Sequence, residues 1–153
     1  ELADNVATSE QFVAEFLQDH PCDAVFQVHS IAPLLGAADI TRVIKTYAEG
    51  QHDTLISCIN DQIEVALDNA PVNFTFNEKT NSQDLTPTQR ITWAISAWRR
   101  NVYLAAFNAG KTATYSGRIG FYPVNALSGH VIKTQLDLDI AEALLPLVQG
   151  SHT

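Results

Sequence analysis

The chain has 153 residues, 46% of them hydrophobic and 17% charged, which suits one folded domain with one hydrophobic core and excludes a disordered chain. Its formal net charge of -8 argues against a nucleic-acid-binding surface, because phosphate binding needs clustered Lys and Arg. Cys22 and Cys58 lack the spacing of a metal site or a disulfide framework, which favours a location in the reducing cytoplasm. No apolar run reaches the roughly 18 residues that a membrane span needs.

The first half of the chain alternates between helical and strand patterns. Thr8 and Ser9 are capping candidates for the first helix, and Gly50 supplies a stop signal for the second. The predicted elements are a helix at 8–20, a buried strand at 23–29, a helix at 37–50 and a buried strand at 53–60. This order, with short connections, predicts right-handed βαβ units and a mostly parallel, twisted sheet with helices on its faces.

The second half changes character around residues 62–98. Alternating patterns predict half-exposed strands, and a long polar segment predicts a functional or mobile loop. The predicted elements are strands at 62–67 and 72–76, a loop at 77–89, a buried strand at 90–98, a helix at 100–110, strands at 112–117, 119–124 and 130–132, and a final helix opened by Thr134. Trp93 and Trp98 are five residues apart in one strand, so alternation predicts opposite faces, with Trp98 in the core.

Five segments of the chain, in order, resemble the CMP-acylneuraminate synthetases. "ELADNVATS" is similar to the family's "ELASDTASS", "VHSIAPLLGAADI" to "LQPTSPLRSAEDI", "HDTLISC" to "YDSVFSV", "SQDLTPTQRITWAISAW" to "RQDLPPVYRRNGAIYAF", and "KTQLDLDIAEALL" to "DTPLDLALAEALL". These enzymes are sugar nucleotidyltransferases, whose nucleotide-diphospho-sugar transferase fold is a three-layer, glycosyltransferase-A-like α/β architecture. The resemblance covers the family's C-terminal two thirds. It implies one incomplete domain over 1–153, whose missing N-terminal nucleotide-binding part would precede Glu1.

In that family a sugar hydroxyl attacks the α-phosphate of CTP, and Mg²⁺ held by an Asp-Ile-Asp triplet neutralises the phosphate charge. The aligned residues here are Val131, Ile132 and Lys133. Valine has no ligand atom and lysine carries the wrong charge, so we expect no metal and no other cofactor in this chain. Lys133 either holds a phosphate or sugar carboxylate where the metal would lie, or pairs with Asp137 as a solvated charge.

The resemblance implies four further contacts to an acidic sugar or a sugar nucleotide. Arg90 matches the arginine that faces the sugar's carboxylate, although a solvated strand-end charge explains it equally well. Gln83 either contacts the ligand or shapes a loop that crosses between subunits. His29 replaces the glutamine at the first sugar contact and is either a general base or a structural residue, while Ser96 stands where a pocket tyrosine is usual.

Two functions of different classes follow. The first is a cytidylyltransferase that transfers CMP from CTP to an acidic sugar of the acylneuraminate type. The second is a non-catalytic relative, a pseudoenzyme that kept the sugar site or the dimer interface and lost the metal. The resemblance also implies that 62–98 forms a dimerisation segment, so we expect a homodimer with neither nucleic-acid nor membrane partners.

Overall fold

The computed structural model describes residues 8–149. The helices are α1 (Ser9–Asp19), α2 (Ala37–Glu49), α3 (Arg100–Asn108) and α4 (Gln135–Gln149), and a 3-10 turn spans Ser82–Asp84. The strands are β1 (Ala24–Val28), β2 (Thr54–Asp61), β3 (Ala66–Leu67), β4 (Ala70–Pro71), β5 (Thr88–Arg99) and β6 (Ile119–Pro123). Most of the first matched segment, "ELADNVATS", lies outside the described residues. Within 8–149, none of the helices combines the length and the apolarity that crossing a membrane requires.

The central sheet has the strand order β1-β5-β2-β6. β2 and β6 pair in parallel, and β5 pairs antiparallel with both β1 and β2, so β1, β2 and β6 all run in the same direction. The predicted α/β fold with a central sheet is confirmed. The pairing of β1 differs from the expected βαβ arrangement, because the 12-residue β5 lies between the two strands that were expected to be neighbours. A buried apolar run does not reveal strand direction, which is why the sequence pattern missed this insertion.

Helices cover both faces of the sheet and give the expected three layers. On one face, α1 and α3 pack on β5 in a cluster that includes Leu17, Tyr103 and Trp98. On the other face, α2 packs through Val43 and Tyr47 on residues of β2 and β5. Alternate residues of β5 therefore serve opposite cores, as the two-residue period of a strand requires.

The predicted helices form where their local signals place them. Thr8 and Gln11 make a reciprocal capping box at the start of α1: the Thr8 N–H donates to Gln11 Oε1 at 2.7 Å, and the Gln11 N–H donates to Thr8 Oγ1 at 3.2 Å. Gly110 follows α3 with φ of +67°, the left-handed conformation that glycine adopts without steric penalty. Gly50 ends α2 in an extended conformation rather than a left-handed one.

The strand predicted at 62–67 forms only over its last two residues, as β3 (Ala66–Leu67), and the strand predicted at 72–76 is wrong. The segment instead forms the short hairpin β3–β4, whose turn residues Asp68 and Asn69 both have positive φ, as tight hairpin turns require. Beyond it, the Asn73 side chain replaces a strand ladder. Its Nδ2 donates to the carbonyls of Ile63 (2.7 Å) and Thr86 (2.9 Å), and its Oδ1 accepts from the Val65 N–H (2.9 Å). An amide side chain can thus satisfy backbone groups that alternation assigns to a neighbouring strand.

The strands predicted at 112–117 and 130–132 are also wrong, whereas the strand at 119–124 corresponds to β6. In the first segment, backbone groups form hydrogen bonds with side chains instead of with a neighbouring strand. The Thr114 carbonyl accepts from Trp98 Nε1 at 3.0 Å, and the Thr114 N–H donates to Glu10 Oε1 at 2.7 Å. In the second, the Ile132 N–H donates to the Ile31 carbonyl at 2.8 Å without a continuing ladder. That hydrogen bond still joins the segment before α4 to the loop after β1.

A buried carboxylate joins α2 to the segment that follows β6. Asp39, in the first turn of α2, is 8% exposed. Its Oδ2 accepts from Ser128 Oγ and from Asn125 Nδ2 (3.4 Å), and its Oδ1 accepts from the Arg42 guanidinium. Asp39, which the sequence shares with the acylneuraminate enzymes, therefore ties α2 to the segment that leads toward Lys133.

Candidate functional site

A cavity of 290 Å³ lies where β1 ends, between the sheet and α1. Its walls include three aromatic side chains and three polar ones: Trp93, Trp98, Tyr103, Gln27, His29 and Lys133. We refer to this cavity as the His29 pocket. Its position at the carboxyl end of β1 is the edge of an open α/β sheet at which ligands usually bind.

An irregularity in β5 shapes one wall of the pocket. Ile56 of β2 pairs with Ser96, but Cys58, two residues on, pairs with Ile91, so β5 carries three extra residues between these pairs. Trp93 lies within this bulge at φ of +57°, an unusual backbone conformation for a bulky residue. The odd number of extra residues reverses the alternation of side chains. Trp93 and Trp98 consequently line the same pocket, and the prediction of opposite faces is wrong, although Trp98 is in the core as expected.

Two buried hydroxyl groups satisfy the backbone at the bulge. Ser57 Oγ and Thr92 Oγ1 are 2.9 Å apart, and Ser57 Oγ also accepts from the Ile95 N–H at 3.0 Å. Thr92 Oγ1 is within 3.2 Å of the Ser57 carbonyl. These contacts hold the bulge independently of the identity of residue 93.

His29 presents an unsatisfied nitrogen to this region. Its backbone N–H donates to the Ala94 carbonyl at 3.0 Å, which fixes the residue beside the bulge. Its Nε2 atom is buried and has no hydrogen-bond partner within residues 8–149. Burial lowers the pKa of the imidazole from its usual value, and the nearby Lys133 charge lowers it further. His29 is therefore neutral at pH 7 and can exchange a hydrogen bond with a bound ligand.

Lys133 stands at the rim of the same pocket on a fixed backbone. The Asp137 carboxylate accepts from the Lys133 N–H (3.0 Å), the Thr134 N–H (2.7 Å) and Thr134 Oγ1 (2.8 Å), which makes a capping box for α4. These three donors hold the pKa of Asp137 below its usual value, the Lys133 N–H contributing most. Asp137 thus contacts the backbone of Lys133, while the Lys133 ammonium group forms no ion pair within the described part of the chain.

The residues at the family's metal positions do not fit Mg²⁺. Val131 offers no donor atom and Lys133 is a cation, whereas Mg²⁺ requires carboxylate or other oxygen ligands. The nearby Asp137 is engaged in the helix cap, and Asp139 accepts from Gln135 Nε2 at 2.8 Å. Across residues 8–149, no group of three or more His, Cys, Asp and Glu side chains is arranged to hold a metal ion.

The other predicted site residues lie in three different environments. Ser96 is fully buried, pairs in register with Gln27 of the pocket wall, and its hydroxyl has no hydrogen-bond partner within 8–149. Arg90 is exposed at the far end of β5, where its Nε donates to Asp61 Oδ2 at 2.7 Å. Gln83 lies exposed in the 3-10 turn, and its carbonyl accepts from Gln62 Nε2 at 2.7 Å. The structure thus brings His29 and Lys133 together in the pocket, places Ser96 beside Gln27 of its wall, and leaves Arg90 and Gln83 outside.

Sequence reasoning did not identify two of the polar or aromatic wall residues, Gln27 and Tyr103. Gln27 was detectable, because it lies two residues before His29 in a strand and therefore shares its face. Tyr103 reaches the pocket through the packing of α3 on α1. Its hydroxyl donates to the Glu10 carbonyl at 3.3 Å, a contact between helices that no local pattern predicts.

Comparisons with known proteins show the fold. No protein-family model and no curated protein matches the chain, but solved structures do. One is 4-diphosphocytidyl-2C-methyl-D-erythritol synthase from Anaerococcus prevotii, with a TM-score of 0.61 and 15% identity over 92% of this chain and 67% of that one. A second is 2-C-methyl-D-erythritol 4-phosphate cytidylyltransferase from Thermus thermophilus, with a TM-score of 0.57 and 14% identity over 91% of this chain and 70% of that one. A third is the bifunctional IspDF from Campylobacter jejuni, with a TM-score of 0.59 and 11% identity over 86% of this chain and 34% of that one.

The chain therefore shares the fold of these solved cytidylyltransferase structures. At these low identities the likeness concerns the fold alone. This likeness in fold agrees with the broader resemblance to nucleotidyltransferases that the sequence indicated. The three named structures give no support to the narrower one, to the acylneuraminate enzymes.

Proposed function

We propose that this chain is a cytidylyltransferase-like protein whose His29 pocket binds a small acidic sugar. The observation that carries the proposal is that Lys133 and His29 line one cavity at the carboxyl end of β1, and that the buried His29 Nε2 has no hydrogen-bond partner within residues 8–149. The shared fold of the solved cytidylyltransferases supports it, because ligands of open α/β sheets bind at this edge.

The chemistry of the walls suits an acidic sugar. The Lys133 ammonium group attracts a carboxylate, and Gln27 and His29 offer hydrogen bonds to hydroxyl groups. Trp93 and Trp98 supply apolar surface for the carbon face of a sugar ring. A volume of 290 Å³ is near the lower end of the ~300–1,000 Å³ typical of small-molecule sites, so the pocket suits a monosaccharide better than a whole sugar nucleotide.

Two activities are compatible with such a pocket. In the first, the sugar is the acceptor of a CMP group from CTP. In the second, the protein binds the sugar and transfers nothing, and one observation favours it: valine and lysine replace both metal-binding aspartates of the acylneuraminate enzymes at Val131 and Lys133.

Cys22 and Cys58 are free thiols, which supports the cytoplasm as the proposed location.

The binding proposal is tested by calorimetric titration of the full chain with N-acetylneuraminate. We expect saturable binding, weakened about tenfold by His29→Ala because that variant removes one hydrogen bond to the ligand. His20→Ala is the matched control, since His20 is exposed and stacks on Phe16 outside the pocket, and it should bind as the wild type does. Failure of the wild type to bind any acidic monosaccharide would overturn the proposal.

A second assay separates the two activities. Release of pyrophosphate from CTP on addition of the acidic sugar would establish the transferase, whereas sugar binding without pyrophosphate release, with Mg²⁺ present, would establish the binding protein.

We also propose that the chain forms a homodimer through the 62–98 segment. Leu67, Val72 and Phe76 are 68%, 55% and 74% exposed, and Phe76 packs edge-on against Phe74 with ring centroids 5.8 Å apart. Apolar side chains this exposed within one short segment are typical of a protein–protein interface.

A further inference from the structure

The place that the acylneuraminate enzymes give to a divalent cation carries a lysine in this chain. We propose that the Lys133 ammonium group itself is the counter-charge for the ligand, so that the His29 pocket binds the carboxylate of an acidic monosaccharide without a metal ion. This inference rests on the proposed function, since it concerns how the same pocket holds its ligand. It differs from the family pattern, in which an arginine faces the sugar's carboxylate and the metal ion neutralises the phosphate charge of CTP.

Three contacts hold Lys133 in position for this role. Asp137 accepts from the Lys133 N–H at 3.0 Å, and Thr134 completes the capping box that starts α4. On the other side, the Ile132 N–H donates to the Ile31 carbonyl at 2.8 Å. Because Ile31 follows His29 in the loop after β1, this hydrogen bond joins the backbone of the lysine to the rim that carries the imidazole.

The charge of Lys133 is available to a ligand. The Asp137 carboxylate, its nearest acidic neighbour along the helix, is occupied by two backbone N–H groups and a hydroxyl. The ammonium group has no ion-pair partner within residues 8–149, whereas Lys45 and Lys79 both pair with glutamates. A cation at the edge of a cavity attracts an anion that binds in that cavity.

The pocket also provides for the remaining groups of such a ligand. A neutral His29 with a free Nε2 does not repel the ammonium group, as a protonated imidazole would, and it can bond a ligand hydroxyl. Beneath the wall, the hydroxyl of Ser96 is likewise unpartnered within 8–149. Buried polar atoms without partners are uncommon, and the one on His29, which lines the same cavity as Lys133, is a group whose hydrogen bonding a polar ligand can complete.

The test is a calorimetric titration of the full chain with N-acetylneuraminate and with its methyl ester, each in EDTA and in Mg²⁺. We expect the acid to bind the wild type with the same affinity in both buffers, within about twofold. Lys133→Ala should weaken binding of the acid at least about tenfold and leave the ester unaffected, since the ester has no charge to pair. Lys133→Arg should retain most of the affinity, and Lys45→Ala, which removes a distant surface charge, should change nothing.

A double variant tests the exchange of cations directly. With aspartate at both family positions, the variant carrying Val131→Asp and Lys133→Asp should bind the acid only when Mg²⁺ is present. Circular dichroism and the thermal midpoint confirm that each variant is folded.

The outcomes distinguish this inference from the function on which it rests. Wild-type binding that requires Mg²⁺, or an unchanged affinity in Lys133→Ala, overturns the inference while the acidic-sugar pocket stands. Absence of binding to any acidic sugar, in either buffer, overturns the proposed function itself.

Discussion

The backbone of Trp93 gives the sharpest test of the structure. At φ of +57° a non-glycine residue is disfavoured by about 1–2 kcal/mol, because its Cβ crowds the following carbonyl. In an ordinary strand, by contrast, glycine is less stable than alanine by about 0.5–1 kcal/mol. Subtracting the second effect from the first predicts that Trp93→Gly is more stable than Trp93→Ala by about 0–1.5 kcal/mol, with a midpoint of about 0.8 kcal/mol, which reverses the usual order.

Comparing these two variants isolates the backbone. Both lose the indole ring, with its edge-on contact to Tyr115 at a centroid distance of 6.0 Å, so that loss cancels between them. Ala94→Gly is the matched control, because Ala94 is the next residue, is fully buried and has no positive φ. This change should destabilise the protein by about 1–2 kcal/mol through backbone entropy and the lost methyl group.

Urea unfolding followed by tryptophan fluorescence, which comes from Trp98 alone in the two Trp93 variants, measures all three variants. Equal slopes with a higher midpoint for Trp93→Gly than for Trp93→Ala would match the prediction. A higher midpoint for Trp93→Ala would show that residue 93 is not left-handed, and the account of the bulge and of the pocket wall would then be wrong.

The other predictions concern charge, burial and assembly. The Arg118 N–H, at 2.9 Å, lowers the pKa of Asp53 more than any other group does. The ionised Asp53 carboxylate therefore stabilises the folded state fully at pH values above its unfolded pKa of about 3.9. This stabilisation is lost as the pH falls through the lower pKa that Asp53 has in the folded protein. When the urea midpoint is plotted against pH, the Asp53→Asn variant should lose less stability than the wild type as the solution becomes acidic. Parallel curves for the two proteins would contradict this. Burial, then the charge of Glu10, raises the pKa of Tyr103 to about 12, so absorbance at alkaline pH should show a late-ionising tyrosine that Tyr103→Phe removes. Phe76→Asp should convert a dimer at tens of micromolar into a monomer in sedimentation, while a monomeric wild type would refute the dimer.

The sequence predicts the helices well because their signals are local. The capping residue Thr8 and its partner Gln11 are three positions apart, and Gly110 directly follows the last turn of α3. The strands 23–29 and 53–60 are also predictable, since each is a short apolar run between turn signals. Their neighbour in the sheet is not, because the insertion of β5 between them depends on contacts far apart in the chain.

The same distinction applies to the candidate site. His29 directly follows a predicted strand, so its place at the edge of the sheet follows from the sequence. Lys133 follows no strand and reaches the same edge through the hydrogen bond from the Ile132 N–H to the Ile31 carbonyl. The pocket wall does not, because the bulge depends on Ser57, which is 35 residues from Thr92 and meets it across the sheet. Arg90 was an equally reasonable candidate from sequence, but the bulge separates it from the pocket and leaves it beside Asp61.

The bulge explains how a tryptophan is tolerated where the acylneuraminate enzymes have a glycine. The hydroxyls of Ser57 and Thr92 hold the left-handed conformation by bonding the surrounding backbone, so the conformation does not depend on the freedom of a glycine. A glycine at that position lets a ligand approach the backbone, whereas Trp93 fills the space with a ring. A ligand of the His29 pocket must therefore contact the indole instead of the backbone, and the cavity is correspondingly small. If the pocket binds an acidic sugar, as we propose, Trp93 would restrict it to a single sugar unit and Lys133 would select units that carry a negative charge.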